Sequence, residues 1–192
     1  MKPKLETKVL TKGRILLRPL DRSDASFVLK LRSDSFNMRF VNMKLYENIE
    51  QAIKFIDAVS NDVAIGSVCF WGICLLETKE TIGTVCLWNA NEDNNSVEIG
   101  YELLPDYQGY GYMRDTVSMV IDYAFTSLGI DKIEAVTHKN HNASLSLLTH
   151  FNFKYQGFIK QIYPESQDGP DMVLYCLTYS ETTSPNQFQN VY

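Results

Sequence analysis

Apolar positions along the chain follow two periods. Short apolar runs and alternation at every second residue mark strands, and recurrence at three and four marks helices. Residues 14–20 form a short apolar run closed by Pro19 and read as a strand. Asp21, Arg22, Ser23 and Asp24 then supply a helix start. Asp21 or Ser23 acts as the cap, and Phe27, Val28 and Leu31 follow at helical spacing. A second helix is predicted over 48–59, where Ile49, Ala52, Ile53, Ile56 and Val59 recur at three and four. Strands follow at 68–76 and 82–88, with a turn between them at 78–80. A polar loop over 89–95 leads into a strand at 97–104. A long amphipathic helix comes next, over about 111–128. Val117, Val120, Ile121, Ala124, Phe125 and Leu128 make its apolar stripe, and Gly129 ends it. A strand at 132–137, a short helix at 142–151 and two strands at 155–162 and 172–179 complete the pattern, with a turn-rich stretch over 164–170. The order β-α-α-β-β-β-α-β-α-β-β is that of a mixed α/β protein.

Composition narrows the class. The chain has 192 residues, 45% hydrophobic and 21% charged, which is ordinary globular composition and excludes disorder, a collagen-like repeat or a disulfide scaffold. One domain over 1–192 is expected, with a core at about 12–179, an arm at 1–11 that reads as peripheral or as a short segment packed on the core, and a polar tail at 180–192. Lys and Arg number 18 against 23 Asp and Glu, for a net charge of -5. With no basic stripe or tail, nucleic acid is not an expected partner. Cys69, Cys74, Cys86 and Cys176 form no C-x-x-C pair and have no His at metal-ligand spacing, so no metal site is expected. They read as small buried hydrophobes of a reducing compartment. The N-terminus lacks the apolar region of a secretory signal. The longest uncharged run, 63–76, is too short to span a membrane and contains Gly66 and Gly72. A soluble cytoplasmic protein with no membrane partner is expected.

The chemistry concentrates in residues 97–116, where a strand runs into Pro105, a turn carries Gln108, Gly109 and Gly111, and a helix begins. The two glycines allow a tight turn and close approach to a ligand. Free N–H groups and the helix dipole favour an anion at this point. Arg114 in the first turn opposes that dipole unless an anion shares the site, which points to a phosphate or pyrophosphate. The competing reading is an ordinary glycine-containing loop.

The surrounding motifs shift the balance. Gln108-Gly109-Tyr110-Gly111-Tyr112-Met113 resembles the Gln/Arg-x-x-Gly-x-Gly/Ala loop of the GNAT superfamily of N-acyltransferases, with Met113 at the last small position. Gly100-Tyr101-Glu102-Leu103-Leu104-Pro105 followed by Gly109-Tyr110-Gly111-Tyr112 resembles the branch of ribosomal-protein N-terminal acetyltransferases, RimJ/RimL-like. Asp115 stands where that branch commonly has Glu. Ser144 and Phe153 match its later patch, with Asn152 in place of Gly. Asn140 and Asn142 flank the expected Asn position, which is His141. Gly157, Gly169, Asp171, Tyr175 and Leu177 resemble its last two strands. The likeness spans residues 12–179.

The resemblance implies a mixed, mostly antiparallel sheet of about seven strands with one splayed parallel pair and about four helices. It also implies acetyl-CoA as acyl donor, lying between strands 97–104 and 132–137. The cofactor-binding residues implied are Gln108, Gly109, Tyr110, Gly111, Tyr112, Met113 and Arg114 for the pyrophosphate. Leu103 and Leu104 are implied for backbone pairing with the pantetheine arm, and Asn140 or Asn142 for its amides. Glu98 is the candidate base, on the face shared with Gly100 and Glu102; a solvent-facing or ion-paired Glu98 is the plain alternative. Glu102 is the lesser candidate, lying nearer the cofactor side. A backbone N–H near Leu103 would serve the oxyanion. The usual acid, a Tyr, aligns with Leu148. Ser144 would donate to the leaving thiolate or hold a water, or else only cap its own helix. His138 and His150 have no motif behind them.

The acceptor site is expected from the two N-terminal helices, the strands near Trp71 and Trp88, and the last-strand loop. Phe36, Met38, Phe40, Tyr46 and Tyr163 are candidate lining residues. Three readings stay open: transfer to a primary amine such as a protein N-terminus, transfer to a small amine such as a polyamine or aminoglycoside, and a non-catalytic acyl-CoA-binding module. A homodimer is one assembly open to the chain.

Overall fold

The computed structural model describes residues 5–41, 43–163, 165, 167 and 169–182. Most of the tail expected at 180–192 and parts of the 164–170 turn stretch lie outside these residues. The strands are β1 (Leu10–Lys12), β2 (Ile15–Arg18), β3 (Cys69–Leu75), β4 (Thr81–Asn91), β5 (Ser96–Leu103), β6 (Lys132–His138), β7 (Lys154–Phe158) and β8 (Met172–Thr178). The helices of more than one turn are α1 (Ala25–Ser33), α2 (Ile49–Ile65), α3 (Tyr112–Thr126) and α4 (Asn142–His150). The strands form one sheet in the order β1-β2-β3-β4-β5-β6-β8-β7. Every neighbouring pair is antiparallel except β5 and β6. The expected fold class therefore stands, with β1 as the strand the sequence did not show.

Local chemistry explains the boundaries. Asp21 caps the Arg22–Asp24 turn that opens α1. Asn48 caps α2, its side chain accepting from the Gln51 N–H while its own N–H donates to the Gln51 side-chain oxygen; such a cap contributes about 1 kcal/mol. α2 runs six residues beyond the expected end at Val59. Ser60, Asn61 and Asp62 resemble a stop signal, but they lie on its exposed face while Val63 continues the apolar stripe. The helix ends at Gly66, whose φ of 75° is the left-handed C-cap conformation. Residues 159–162 form a helical turn, Ile159–Ile162, where a strand was expected. There Ile159 buries into a small cluster with Leu174 and Cys176.

Of the two readings of the N-terminal arm, the second holds: its described part, from Leu5 onward, packs on the core. Leu5 is fully buried in the main core. The Glu6 carbonyl accepts from the Tyr123 hydroxyl at 2.6 Å, and the Lys8 carbonyl from the Trp71 indole at 2.7 Å. Backbone carbonyls share the anchoring with the Leu5 side chain, and the polar side chains between gave no sign of it.

Two cores flank the sheet. Val97, Ile99 and Leu103 of β5 and Ile133 and Ala135 of β6 face α3 and α4. Phe70 of β3 faces α1 and α2 through Val28, Ala52 and Ile56. Cys69, Cys74 and Cys176 are buried and Cys86 is half-buried; burial pushes the Cys69 thiol up to about 11 and Cys86 up to about 12. No helix among the described residues is long and apolar enough to cross a membrane.

Candidate active site

The parallel ladder between β5 and β6 pairs Ser96 with Lys132, Val97 with Ile133 and Glu98 with Glu134, and then stops. Both strands continue to Leu103 and His138 without pairing to each other. Their unpaired ends open a cleft of about 1440 Å³. Its walls have distinct characters.

One wall is the start of α3. Gly109 and Gly111 have φ of 84° and 81°, which only a residue without Cβ adopts freely. Gly111 is the N-cap and has no side chain to satisfy the first-turn N–H groups. A Cβ built there would stand 3.3 Å from a guanidinium nitrogen of Arg14 and 3.4 Å from one of Arg114. Two cations thus converge on a helix start that already favours anions. Arg14, from the turn between β1 and β2, escaped the sequence reading because it is distant along the chain. It donates to the Tyr110 carbonyl at 2.6 Å and to Asp115 at 3.0 Å, and stacks over the Tyr112 ring.

A second wall is the strand–helix side. The Tyr101 and Ser144 hydroxyl oxygens lie 2.9 Å apart and join β5 to α4 beside the gap. Burial pushes the Tyr101 phenol up to about 12, against the pull of the Ser144 hydrogen bond, so it stays protonated. Tyr101 is a second hydroxyl that motif matching did not single out. Leu148, one turn along α4, is fully buried in the core and offers no group to the cleft.

The third wall faces α1 and α2. Here Glu98 stands beside its cross-strand partner Trp88, which is half exposed, and accepts from Asn89 at 3.5 Å. Glu102, on the same face, is held by Arg32 at 3.3 Å and by the Thr84 hydroxyl at 3.2 Å. Arg32 in turn lies over the Phe55 ring, 3.7 Å from its centroid.

The structure brings Glu98, Leu103, Gln108, Gly109, Tyr110, Gly111, Tyr112, Met113, Arg114 and Ser144 to one cleft. Leu104, Asn140 and Asn142 do not line it. Leu104 is buried and spends its N–H on the Ile82 carbonyl. The Leu103 carbonyl accepts from the Gln108 side chain at 3.0 Å. Asn140 and Asn142 are exposed, and His141 between them lines the cleft instead. Burial first, then Arg39 and His138, hold the His141 pKa below its ordinary value. Asn152, the apparent substitution for Gly, has φ of 61°, a conformation that Asn tolerates well among residues with a Cβ. Of the expected acceptor-lining residues, Phe40 and Trp88 line the cleft. Trp71 and Met38 are core, Tyr46 packs against the second cluster, and Phe36 and Tyr163 are exposed outside it. Bulk and aromaticity alone do not separate core from lining.

The fold that carries this cleft is shared with known proteins. The family model described as "Acetyltransferase (GNAT) domain" matches residues 14–154. "Uncharacterized N-acetyltransferase YoaA" of Bacillus subtilis (strain 168) is 31% identical over 153 residues, covering 80% of this chain and 86% of the relative. Mycobacterium smegmatis RimJ, solved in complex with CoA-disulfide, superposes with a TM-score of 0.77 at 21% identity, covering 89% of this chain and 85% of that one. Spermidine N-acetyltransferase from Vibrio cholerae, solved with CoA and spermine, gives 0.72 at 21% identity, covering 88% and 98%. With its motifs, its split parallel pair and these matches in agreement, the chain belongs to the GNAT acetyltransferase family.

Proposed function

We propose that this N-acetyltransferase carries acetyl-CoA in the β5/β6 cleft and transfers the acetyl group to the α-amine of a peptide or protein, as a RimJ/RimL-like enzyme. One observation carries the reading: the parallel ladder ends at Glu98 and the gap beyond it opens onto Gly111, flanked by Arg14 and Arg114. Those residues fit a pyrophosphate. Uncapped N–H groups and two guanidinium groups offer charge-assisted bonds, and a left-handed glycine lets the anion approach the backbone.

Acetyl-CoA supplies an activated acetyl group as a thioester. The acceptor amine must be neutral to attack it. An α-amine has a pKa of about 7.7–8.0, so a weak base is sufficient near neutral pH. Glu98 is the proposed base, acting on the amine directly or through a water. Glu102 is less suited, because Arg32 pairs with its carboxylate and Thr84 donates to the same oxygen, Oε2. A backbone N–H near Leu103 would donate to the oxygen that gains charge. The Ser144 hydroxyl would donate to the departing sulfur, with Tyr101 beside it holding the hydroxyl in place.

A small-amine acceptor is the second reading, favoured by the likeness to spermidine N-acetyltransferase. A panel of peptides with free α-amines, spermidine and an aminoglycoside, assayed by CoA release, separates the two. Turnover of peptides is the expected result. Turnover of polyamines alone would overturn the peptide reading, and CoA binding without turnover on any amine would leave only a binding module.

A further inference from the structure

Residues 36–41, between α1 and α2, cross the mouth of the cleft on the face where Glu98 lies. The crossing is anchored at both lips. On the β5 side, the Asn37 side-chain oxygen accepts from Gln108 at 3.3 Å. On the β6 side, the Phe40 ring stacks on His138 and His141, with centroids 5.2 Å and 4.5 Å apart. Met38 is buried beneath, and the Asp34 side chain accepts from the Asn37 N–H at 2.8 Å. An acceptor reaching Glu98 from this face passes the strap.

Arg39 is the charge the strap presents. Its guanidinium lies 3.6 Å from the Phe36 ring centroid and 4.6 Å from that of Phe40, and it donates to the Phe36 carbonyl. The two rings hold the planar group in place, which lowers the entropy lost on binding a carboxylate. A guanidinium has five N–H donors, so most remain available. Among the described residues no carboxylate pairs with Arg39, whereas two carboxylates lining the same cleft are paired with cations. Glu102 is paired with Arg32 at 3.3 Å. Asp171 is paired with Lys139 at 2.7 Å and lies 4.0 Å from His138.

We infer that Arg39 is a specificity residue that selects acceptors carrying a carboxylate close to the amine and turns away polycations. This rests on the reading that the amine reaches Glu98 from the α1/α2 face. A polyamine would bring its second ammonium under an unmatched cation, and like charges at such range repel. An acidic side chain early in a peptide and the free carboxylate of an amino acid supply the same chemistry; the assay tells them apart.

The test measures kcat/KM on the full-length protein with five acceptors. These are peptides beginning with acidic, neutral and basic residues, free glutamate, and spermidine. Wild type, Arg39→Gln, Arg39→Glu and Arg39→Lys are compared, with the acetyl-CoA Kd of each read by calorimetry and folding by Tm. Wild type should favour the acidic over the neutral peptide about tenfold, the scale of one charge-assisted contact, and should use spermidine least. Arg39→Gln should erase the preference, Arg39→Glu should reverse it, and Arg39→Lys should keep part of it. The acetyl-CoA Kd should not move. Turnover of glutamate as well as the acidic peptide assigns the contact to any nearby carboxylate; turnover of the peptide alone assigns it to a side chain.

A selectivity ratio indifferent to Arg39→Glu overturns the inference. So does a tenfold weaker acetyl-CoA Kd in Arg39→Gln at unchanged Tm, which would move Arg39 into the donor site. A wild type that binds acetyl-CoA but acetylates no amine overturns the acceptor reading and the inference with it.

Discussion

β5 meets β4 along its whole length, from Ser96 opposite Asn91 to Leu103 opposite Gly83. On its other edge it meets β6 only as far as Glu98. The paired edge is framework and the open edge borders the cleft. Polar groups differ in the same way. On the framework side Asp24, nearly inaccessible, takes two bonds from Arg18 at 2.7 Å and 2.8 Å and one from the Thr81 hydroxyl at 2.9 Å. Beside the opening, Ser144 and Tyr101 satisfy each other across two elements and still border the cleft. Closed polar networks hold the sheet, and networks left at an edge can be offered to a substrate. The two glutamates of β5 make the contrast on a single strand face. Glu102 is locked to Arg32, and Glu98 sits where the ladder ends.

Substitutions can break this division. Glu98→Gln should produce the largest effect, a fall in kcat of about two to four decades with Tm unchanged, the size of general-base loss. Glu102→Gln should show the opposite signature in kcat and Tm measurements: stability lost because Arg32 keeps a half-enclosed charge, with kcat reduced far less. Equal kcat losses in the two variants would erase the distinction between them.

Asp24→Asn tests the framework. It should cost about 3 kcal/mol in urea unfolding, the low end for breaking a buried pair, since the Arg18 side chain keeps 27% exposure. Burial alone would raise the Asp24 pKa, but bonds from Arg18, the Asp21 backbone and Thr81 bring it below the ordinary value. A depressed folded pKa contributes stability that is present above the unfolded value of about 3.9 and lost as pH falls through the folded one. The gap between wild type and Asp24→Asn should therefore be full at pH 7 and shrink below about pH 4. Acetyl-CoA affinity should not change.

Ser144→Ala should give the smallest effect, about a tenfold loss of kcat, the size of one hydrogen bond to a developing charge at about 1.5 kcal/mol. Tyr101→Phe, which keeps the ring, should lose a similar factor. The double variant should lose little more if the two hydroxyls act as one unit, and steady-state kinetics of the set reads this directly.

Much of the fold was legible because its signals are local. The stripe from Val117 to Leu128, the Asn48 cap and the Gln108–Gly111 turn each announce themselves within one or two turns of chain. The glycine turn at the start of α3 was legible for the same reason. What escaped was long-range. Arg14 reaches Gly111 from 97 residues earlier in the chain, since 111 − 14 = 97. Arg39 enters the mouth only once the strap has folded across it, with Phe40 stacked on His138 and His141. Glu6 and Lys8 are tied down through their backbone carbonyls, which no side-chain pattern encodes. Asn140 and Asn142 were expected inside the cleft, but the turn before α4 points His141 there. Asn152 read as a departure from a glycine, yet it supplies the positive φ that the position requires.

The central claim is that the start of α3 at the open edge of β5 holds the donor. Calorimetric titration of the full-length protein with acetyl-CoA, on wild type and on Gly111→Trp, tests it most directly. The indole would be forced against Arg14 and Arg114 at a backbone conformation that disfavours any side chain. Micromolar binding by wild type, lost in a Gly111→Trp protein that retains its Tm, is the predicted result. No binding by wild type, or equal binding by both, would contradict it.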